Sequence, residues 1–348
     1  MDAQRVLVTG GAGFIGCHLV KALLEKELVS SVIVYDALTY AGHLANLSEV
    51  KDHPKFKFVQ GDIRDIAKVE DILSSNQCNQ VYHLAAESHV DRSITGPAEF
   101  VETNVLGTFN LLETCRNLWA DLDGCRFLHV STDEVYGALG ETGCFDEQTP
   151  YDPRSPYSAS KASSDHLARS YFHTFQFPVL ITHCSNNFGS YQHPEKLIPK
   201  TISRIMAGEI IPVYGDGSNV RDWIYVEDHV LALILVMEQG RLGETYDIGG
   251  GNEESNLNLV NCICDEIDKL LDKEVGHSRK LIEFVADRLG HDFRYAIDAS
   301  KLNSKLGWSP KESFESGLEK TIQWYINNKG WWTAILDNTY RQERLGVM

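Results

Sequence analysis

The sequence predicts an α/β fold, with a doubly wound parallel sheet followed by a smaller C-terminal lobe. Short apolar runs alternate with helical patterns from Arg5 to about residue 187, which is typical of parallel α/β domains. Beyond that point the alternation loosens into shorter strands and glycine-rich loops. The length of 348 residues also exceeds that of a usual single domain. We expect one domain over residues 1–187, to which residues 222–248 return, and a lobe over 188–348.

Composition excludes several classes of function. The chain has 32 Lys and Arg against 49 Asp and Glu, and its net charge of −17 disfavours nucleic acid or an anionic membrane as partner. The eight cysteines are scattered without metal-ligand spacing, so we predict reduced thiols and no metal site. No signal peptide and no run of about 18 apolar residues is present, so we expect a cytoplasmic protein without membrane contact.

The first strand leads into a glycine turn, defined here as residues 10–16. Its glycines match the dinucleotide pattern, in which the backbone approaches a pyrophosphate at a helix N-terminus. The second strand ends at Asp36, at the distance expected for an acid that binds the adenosine ribose. The following Leu38 and Thr39 bring no cation for a 2′-phosphate, so NAD is favoured over NADP. A purely structural glycine turn is the alternative.

The fifth strand ends in an acidic turn, defined as Thr132, Asp133 and Glu134. Neighbouring side chains of a strand point to opposite faces, so both acids can serve one ligand only if the strand has ended. The carboxyl ends of the strands are where open α/β sheets bind ligands. The alternative is a solvated pair of loop acids.

A helix then carries Tyr157 and Lys161, which are four residues apart and therefore share one helix face. We expect Lys161 and a cationic nicotinamide ring to lower the pKa of Tyr157 toward the working pH, as a general base requires. A surface Tyr and Lys are the alternative interpretation.

Other polar and small residues follow the remaining strands. They are Asp62 and Ile63 after the third, Leu84, Ala85, Ala86 and Ser88 after the fourth, and Asn186 and Asn187 after the sixth. A long helix over residues 98–119 carries Thr103 and Asn104 inside an apolar pattern. Four cations of this acidic chain form a predicted phosphate pocket, or else surface ion pairs: Lys196, Arg221, Arg288 and Arg294.

Taken together, these motifs resemble the extended short-chain dehydrogenase/reductase superfamily, and within it the dTDP-glucose 4,6-dehydratase family. The resemblance runs from Arg5 to Trp324. Its most specific segments are TGGAGFIG, LTYAG, HLAAESHVDRSITGP, STDEVYG, SPYSASKASSDHL, CSNNFG, EKLIP, RDWIYVEDH, YDIGG and DRLGHD. It implies a Rossmann domain that binds NAD, a lobe that binds a nucleotide sugar, and a homodimer formed by the helices near residues 98–119 and 157–175.

The resemblance also implies roles for individual residues. Tyr157, assisted by Lys161, takes the proton from the sugar O4 as hydride leaves C4 for NAD. Glu134 removes the C5 proton, Asp133 protonates the departing 6-hydroxyl, and Thr132 hydrogen-bonds O4. The implied cofactor residues are Gly10, Gly13, Phe14, Ile15, Gly16, Asp36, Leu38, Thr39, Asp62, Ile63, Leu84, Ala85, Ala86, Thr103, Tyr157, Lys161 and Asn187. The implied substrate residues are Ser88, Thr132, Asn186, Lys196, Leu197, Pro212, Tyr214, Arg221, Asn256, Arg288 and His291.

Three alternatives stay open. The same reaction on UDP-glucose differs only in how the base and ribose are recognised. A nucleotide-sugar 4-epimerase shares the cofactor half but does not usually carry Thr-Asp-Glu at this position. A non-catalytic NAD-binding regulator would have no reason to combine the acidic turn with Tyr157 and Lys161.

Overall fold

The buried apolar runs of the chain form the strands. The computed structural model describes residues 4–26, 29–287 and 290–338. Within these residues the strands are β1 (Gln4–Thr9), β2 (Val29–Asp36), β3 (Phe56–Gln60), β4 (Gln80–His83), β5 (Arg126–Val130), β6 (Val179–Cys184), β7 (Asn186–Phe188), β8 (Ile211–Tyr214), β9 (Val220–Tyr225), β10 (Thr245–Ile248), β11 (Glu253–Ser255) and β12 (Ile282–Val285).

The segments with helical periodicity form helices between these strands. They are α1 (Phe14–Glu25), α2 (Ile66–Ser75), α3 (Val90–Thr95), α4 (Pro97–Phe100), α5 (Thr108–Leu118), α6 (Pro156–Phe175), α7 (Leu197–Ala207), α8 (Val226–Gln239), α9 (Asn256–Leu270), α10 (Ser300–Leu306), α11 (Phe314–Asn327) and α12 (Lys329–Asn338). Shorter 3₁₀ turns span Leu44–Leu47, Asp133–Tyr136 and Ser278–Leu281, and a π-helical segment spans Val101–Gly107.

The central sheet has seven strands in the order β10-β6-β5-β4-β1-β2-β3, and all adjacent pairs are parallel. The predicted doubly wound parallel sheet is therefore confirmed. The chain first builds outward from β1 to β3 and then returns to the other side of β1 with β4. This reversal is the position at which doubly wound sheets open a crevice for ligands.

Both faces of the sheet are buried, as continuous apolar strands require. Val6 and Val8 of β1 face the layer that contains α1 and α8, whereas Leu7 faces the layer of α2, α5 and α6. This alternation places the central strands between two hydrophobic cores. The strand ends are then the main positions at which polar side chains can reach a shared cleft.

The later part of the chain builds a second, smaller core. Two small sheets, β11-β9-β7 and β12-β8, pack with α7, α9 and α11 around residues such as Ile202, Trp223 and Ile263. In contrast, α8 packs on α1, and β10 extends the edge of the main sheet. The boundary between residues 187 and 188 stays a prediction.

Two elements differ from the sequence prediction. The helix expected over residues 98–119 is interrupted by the π-helical segment, in which the buried Asn104 side chain hydrogen-bonds the backbone of Glu87. Such wide turns are frequent at functional sites. The sixth strand ends at Cys184, and Asn186 begins β7 of a different sheet. Both differences place polar side chains at the edge of the cleft.

None of the helices built from the described residues is long and apolar enough to cross a membrane.

Candidate active site

A cleft of about 340 Å³ lies along the carboxyl ends of the sheet strands. Most candidate residues line it: Gly10, Gly13, Phe14, Ile15, Gly16, Asp36, Thr39, Asp62, Ile63, Leu84, Ala85, Ala86, Ser88, Thr103, Thr132, Asp133, Glu134, Tyr157, Lys161, Asn186, Asn187 and Lys196. The candidates that lie outside this lining are Leu38, Leu197, Pro212, Tyr214, Arg221, Asn256 and His291. Arg288 lies outside the described residues.

Two positions of the glycine turn, Gly10 and Gly16, leave no room for a side chain. A Cβ atom on Gly16 would lie 2.2 Å from the carbonyl oxygen of Gly10, and a Cβ on Gly10 would lie 2.7 Å from the backbone nitrogen of Ala85. Gly10 also has a φ of +70°, which L side chains rarely adopt. The turn therefore brings bare backbone and the N-terminus of α1 to the cleft, the arrangement that binds a pyrophosphate.

Asp36 is held at the end of β2 by two backbone donors. Its Oδ2 accepts from the N–H of Ala12 at 2.9 Å and its Oδ1 from the N–H of Leu38 at 2.8 Å. Burial raises the pKa of this carboxyl, and the two donors oppose the rise. Leu38 itself has a φ of +54°, and its side chain packs on the core of the sheet. Its contribution at the cleft edge is therefore made by its backbone.

The acidic turn begins where β5 ends. The Thr132 hydroxyl caps the 3₁₀ turn by accepting from the N–H of Glu134 at 3.3 Å, and it donates to Asp133 Oδ1 at 3.2 Å. Asp133 is 2% exposed, and its Oδ2 has no hydrogen-bond partner among the described residues. Burial, Glu134 and Asp222 raise the pKa of Asp133 well above its usual value. The turn thus pairs a carboxyl group whose neutral form is favoured with a second carboxyl group.

Tyr157 and Lys161 lie on the first two turns of α6. Ser155 and Ser158 form a reciprocal capping box that fixes the start of this helix. Lys161 Nζ donates to the carbonyl of Val130 at 2.9 Å, so the ammonium is anchored to the end of β5. Both side chains are buried.

The expectation that Lys161 lowers the pKa of Tyr157 is wrong for the protein alone. Burial raises the pKa of Tyr157 well above 10.0, and Glu134 raises it further, while the Thr132 hydroxyl acts in the opposite direction. The physical reason is that the phenol shares its buried site with a carboxyl group, and burial disfavours the charged phenolate.

The ends of β4 and β6 contribute further polar groups. The N–H of Ala85 donates to the Thr9 hydroxyl at 3.3 Å, which holds the β4 end next to the glycine turn. Asn187 is held from both sides: His229 Nδ1 donates to its Oδ1 at 2.8 Å, and its own amide donates to the carbonyl of Ser185 at 3.0 Å. Its orientation is therefore fixed before any ligand binds.

The remaining substrate candidates belong to the smaller lobe. Lys196 caps α7 and donates from Nζ to the carbonyl of Ser88 at 3.4 Å, while Leu197 and Asn256 are the first residues of α7 and α9. Pro212 and Tyr214 lie in β8, and the Tyr214 ring meets His291 edge-on at 6.4 Å. His291 Nδ1 lies 2.7 Å from Asp287 Oδ1.

Arg221 and Arg294 have different surroundings. Arg221 is buried, donates to the carbonyls of Val220 and Asp292, and stacks over the Tyr295 ring at 4.3 Å. The charge of Arg221 also opposes the rise in the pKa of Asp133 that burial causes. Arg294 instead pairs with Glu253 and with two loop carbonyls. Its planar fork is used by protein partners, which favours the ion-pair alternative over a place in a phosphate pocket.

Sequence reasoning missed several residues that affect the acidic turn. Asp222 raises the pKa of Asp133, and Glu134 raises that of the buried Tyr295 phenol. Cys184, at the end of β6, lines the cleft beside Lys161. No spacing pattern links these residues to Asp133, since they come from separate segments, and only the folded chain brings them together.

Comparison with known proteins identifies the family. A family model described as GDP-mannose 4,6 dehydratase matches residues 7–321. A dTDP-glucose 4,6-dehydratase of Escherichia coli is 50% identical over 362 residues, covering 99% of this chain and 100% of that protein. The chain belongs to the dTDP-glucose 4,6-dehydratase family. The predicted membership of this family is thereby confirmed.

Solved structures agree with this placement. A dTDP-glucose 4,6-dehydratase from Streptomyces venezuelae, solved with NAD bound, has a TM-score of 0.89 and 46% identity, covering 95% of this chain and 100% of that chain. A UDP-glucose 4-epimerase from Thermus thermophilus in complex with NAD has a TM-score of 0.82 but only 29% identity, covering 93% and 100%. The epimerase thus shares the fold at a much lower sequence identity.

The glycine turn yields a first prediction. Gly16→Ala places a methyl group against the Gly10 carbonyl, and overpacking of this kind costs about 1–3 kcal/mol. If that cost falls on the binding conformation, NAD affinity decreases by about 10-fold to 100-fold. Isothermal titration with NAD measures the change. Gly140→Ala is the control, because a Cβ there meets nothing within 4 Å. Unchanged NAD affinity of Gly16→Ala would contradict the assignment.

Proposed function

We propose that this chain converts dTDP-glucose to dTDP-4-keto-6-deoxyglucose, with NAD as a cofactor that is regenerated in each turnover. The observation that carries the proposal is the acidic turn, in which a buried Asp133 with a raised pKa lies beside Glu134 in the same cleft as Tyr157. Epimerisation needs a redox base but has no use for a neutral acid and a second carboxyl group. Elimination of water needs both.

The residues at the first half of the cleft suit a dinucleotide. Side chains are sterically excluded from Gly10 and Gly16, and Asp36 closes the end of β2, where an adenosine ribose would be bound. A bound NAD would supply the hydride acceptor for C4 and the hydride donor for C6, and its oxidised ring would add a positive charge to the cleft. That charge favours the phenolate that burial and Glu134 disfavour.

Oxidation at C4 is assigned to Tyr157 and Lys161. Tyr157 takes the proton from O4 as a phenolate, and the anchored Lys161 ammonium stabilises the negative charge of that phenolate before the transfer. Thr132 stands at the end of β5 with its hydroxyl in reach of both the phenol and Asp133, so it is placed to hydrogen-bond O4.

Elimination is assigned to the two acids. The new ketone at C4 makes the C5 hydrogen acidic, and Glu134 removes it as a base. Asp133, kept neutral by burial and by the charge of Glu134, protonates the 6-hydroxyl as it leaves. Glu134 then returns its proton to C5 while hydride arrives at C6. The proton that Tyr157 took from O4 offsets the proton that Asp133 gave to the leaving hydroxyl, and both groups return to their starting states by exchange with solvent. The cycle loses one water and has no net redox change.

The two parts of the chain bind different molecules. Residues 1–187 hold the cofactor, and residues 188–348 mainly hold the nucleotide sugar, with Lys196 and Arg221 as the candidate cations of the lobe. Lys196 joins the lobe to the β4 end through the carbonyl of Ser88. A diphosphate between these cations would place the hexose toward Asp133 and Tyr157.

Substitution of the acids separates the two half-reactions. Asp133→Asn and Glu134→Gln retain C4 oxidation, because Tyr157 and Lys161 are untouched, but each loses elimination by about 100-fold to 10,000-fold. The variants are mixed rapidly with dTDP-glucose, and the formation of reduced nicotinamide is measured. We expect reduced nicotinamide to accumulate in both variants. The exposed Glu141→Gln is the control and changes neither step. Product formation at the parental rate by either acid variant would disprove its role.

The choice of nucleotide needs its own experiment. The purified protein is given dTDP-, UDP- or GDP-glucose without added NAD, and the 4-keto product is measured by its absorbance in alkali. We expect the highest kcat/KM with dTDP-glucose. Equal or faster turnover of UDP-glucose would replace the dTDP assignment with its UDP alternative. Product that appears only after NAD is added would show that the cofactor is not retained.

We further propose a homodimer formed by the helices over residues 98–119 and 157–175. Large apolar side chains are exposed on this surface, with Val101 at 51%, Leu106 at 52% and Phe109 at 40%. One face of α6 is also exposed and bears only small or polar residues at 159, 163, 166 and 170. Two copies of such a surface can pack as a self-complementary helical interface.

This surface gives a prediction on assembly. Leu106→Glu combined with Phe109→Glu introduces like charges at the centre of the interface, and we expect a monomer in sedimentation velocity. Val275→Glu is the matched control, because Val275 is 82% exposed and lies elsewhere. A dimer that persists in the double variant would contradict this interface.

A further inference from the structure

Asp165 is a buried carboxylate of α6 that the roles assigned above do not use. It lies one helical turn after Lys161 and two turns after Tyr157, and it is 0% exposed. Its oxygens accept four side-chain hydrogen bonds, from His129 Nε2 at 2.9 Å, Ser131 Oγ at 3.0 Å, Tyr151 OH at 2.9 Å and His183 Nε2 at 3.0 Å. One of these bonds falls on Oδ1 and three fall on Oδ2.

These donors come from the elements that carry the candidate catalytic groups. His129 lies in β5, and Ser131 directly precedes Thr132 of the acidic turn. His183 lies in β6, whose end also lines the cleft. Asp165 therefore connects the helix of the redox base to the strand that delivers the acids. A displacement of α6 would change the distance between the two groups.

Charged groups of both signs surround Asp165. His183 has a carboxylate on each side, with Asp165 at 3.0 Å from Nε2 and Asp247 at 2.9 Å from Nδ1, so both nitrogens act as N–H donors. Burial opposes this charge, but the two carboxylates outweigh it and raise the pKa of His183 to about 9. With Lys161, the buried region contains two cations and two anions.

We propose that Asp165 is a positioning residue for the oxidation step: its hydrogen bonds fix α6 against the acidic turn, and its negative charge lies one helical turn from the Lys161 ammonium. The inference rests on the function proposed above. Lys161 is 5% exposed and donates to the neutral carbonyl of Val130, and Asp165 is the acidic residue of α6 that follows it by one helical turn. Burial lowers the pKa of Lys161, and Asp165 is the main influence that opposes this.

The other groups that face Asp165 cannot substitute for its charge. Burial and Lys161 lower the pKa of His129 to about 4, so it is neutral. Tyr151 is an uncharged donor whose hydroxyl accepts from Arg169 at 2.8 Å. Asp247 lies on the far side of His183, where it also accepts from Tyr136 at 3.0 Å. Asp165 is thus the anion on the Lys161 side of this cluster.

The test compares Asp165→Asn with Tyr151→Phe. The first removes the charge and keeps the shape, whereas the second removes one hydrogen bond to Asp165 and keeps the charge. Single-turnover formation of reduced nicotinamide from dTDP-glucose is measured across pH with the NAD-loaded enzyme. We expect Asp165→Asn to slow oxidation by about 100-fold, as a misplaced catalytic group does. The alkaline limb of the pH–rate profile of Asp165→Asn moves to lower pH. Lys161 loses its proton at a lower pH when the neighbouring anion is removed.

Tyr151→Phe slows oxidation only a few-fold and leaves the alkaline limb in place. If Asp165→Asn oxidises at the parental rate with an unmoved limb, the inference is overturned. It is also overturned if both variants slow equally with unmoved limbs, since Asp165 would then serve packing alone. Product formation by the unmodified enzyme is recorded in parallel and tests the proposed function separately.

Ser131→Ala serves as the second variant if Asp165→Asn does not fold. It removes only the hydrogen bond next to the acidic turn, and Asp165 keeps its donors from His129, Tyr151 and His183. We expect slower oxidation with an unchanged KM for dTDP-glucose. An unchanged oxidation rate would overturn the positioning role.

Discussion

The common direction of the strands in the central sheet determines where the chemistry occurs. Because the strands are parallel, the turns after β1, β2, β4, β5 and β6 all meet at one edge. Gly10, Asp36, Ala85 and the acidic turn are far apart in sequence but line one cleft. The reversal of strand order between β1 and β4 opens this edge for a dinucleotide. The topology of the sheet, and not direct contact between the candidate catalytic groups, therefore brings these groups together.

Two buried aspartates show how the same residue type acquires opposite properties. Asp133 receives one hydroxyl donor and has Glu134 as a neighbour, and burial and Glu134 raise its pKa well above the usual value. Burial would also raise the pKa of Asp165, but donors such as His129 and His183 hold it well below the usual value. The number of donors and the sign of the nearest charge therefore decide whether a buried carboxyl is an acid or an anion.

The sequence predicted the features that depend on local patterns. The glycine turn, Asp36 and the pair of Tyr157 with Lys161 follow fixed spacings, so their positions could be predicted. The pKa of Tyr157 could not, because it depends on Glu134, which folding brings beside it. The pairing of Arg294 with Glu253 and the four donors of Asp165 likewise join residues that lie far apart in the chain. Contacts of this kind have no periodic signature.

Helix α12 links the smaller lobe to the cofactor half of the chain through hydrogen bonds. Trp332 packs in the lobe core, whereas the neighbouring Trp331 donates from Nε1 to Asn46 Oδ1 at 2.9 Å. The Asn46 amide in turn donates to the carbonyl of Ala12 in the glycine turn at 2.8 Å. The N–H of Ala12 is the donor that holds Asp36. A short chain of hydrogen bonds therefore connects the lobe to the turn and the acid that would bind NAD.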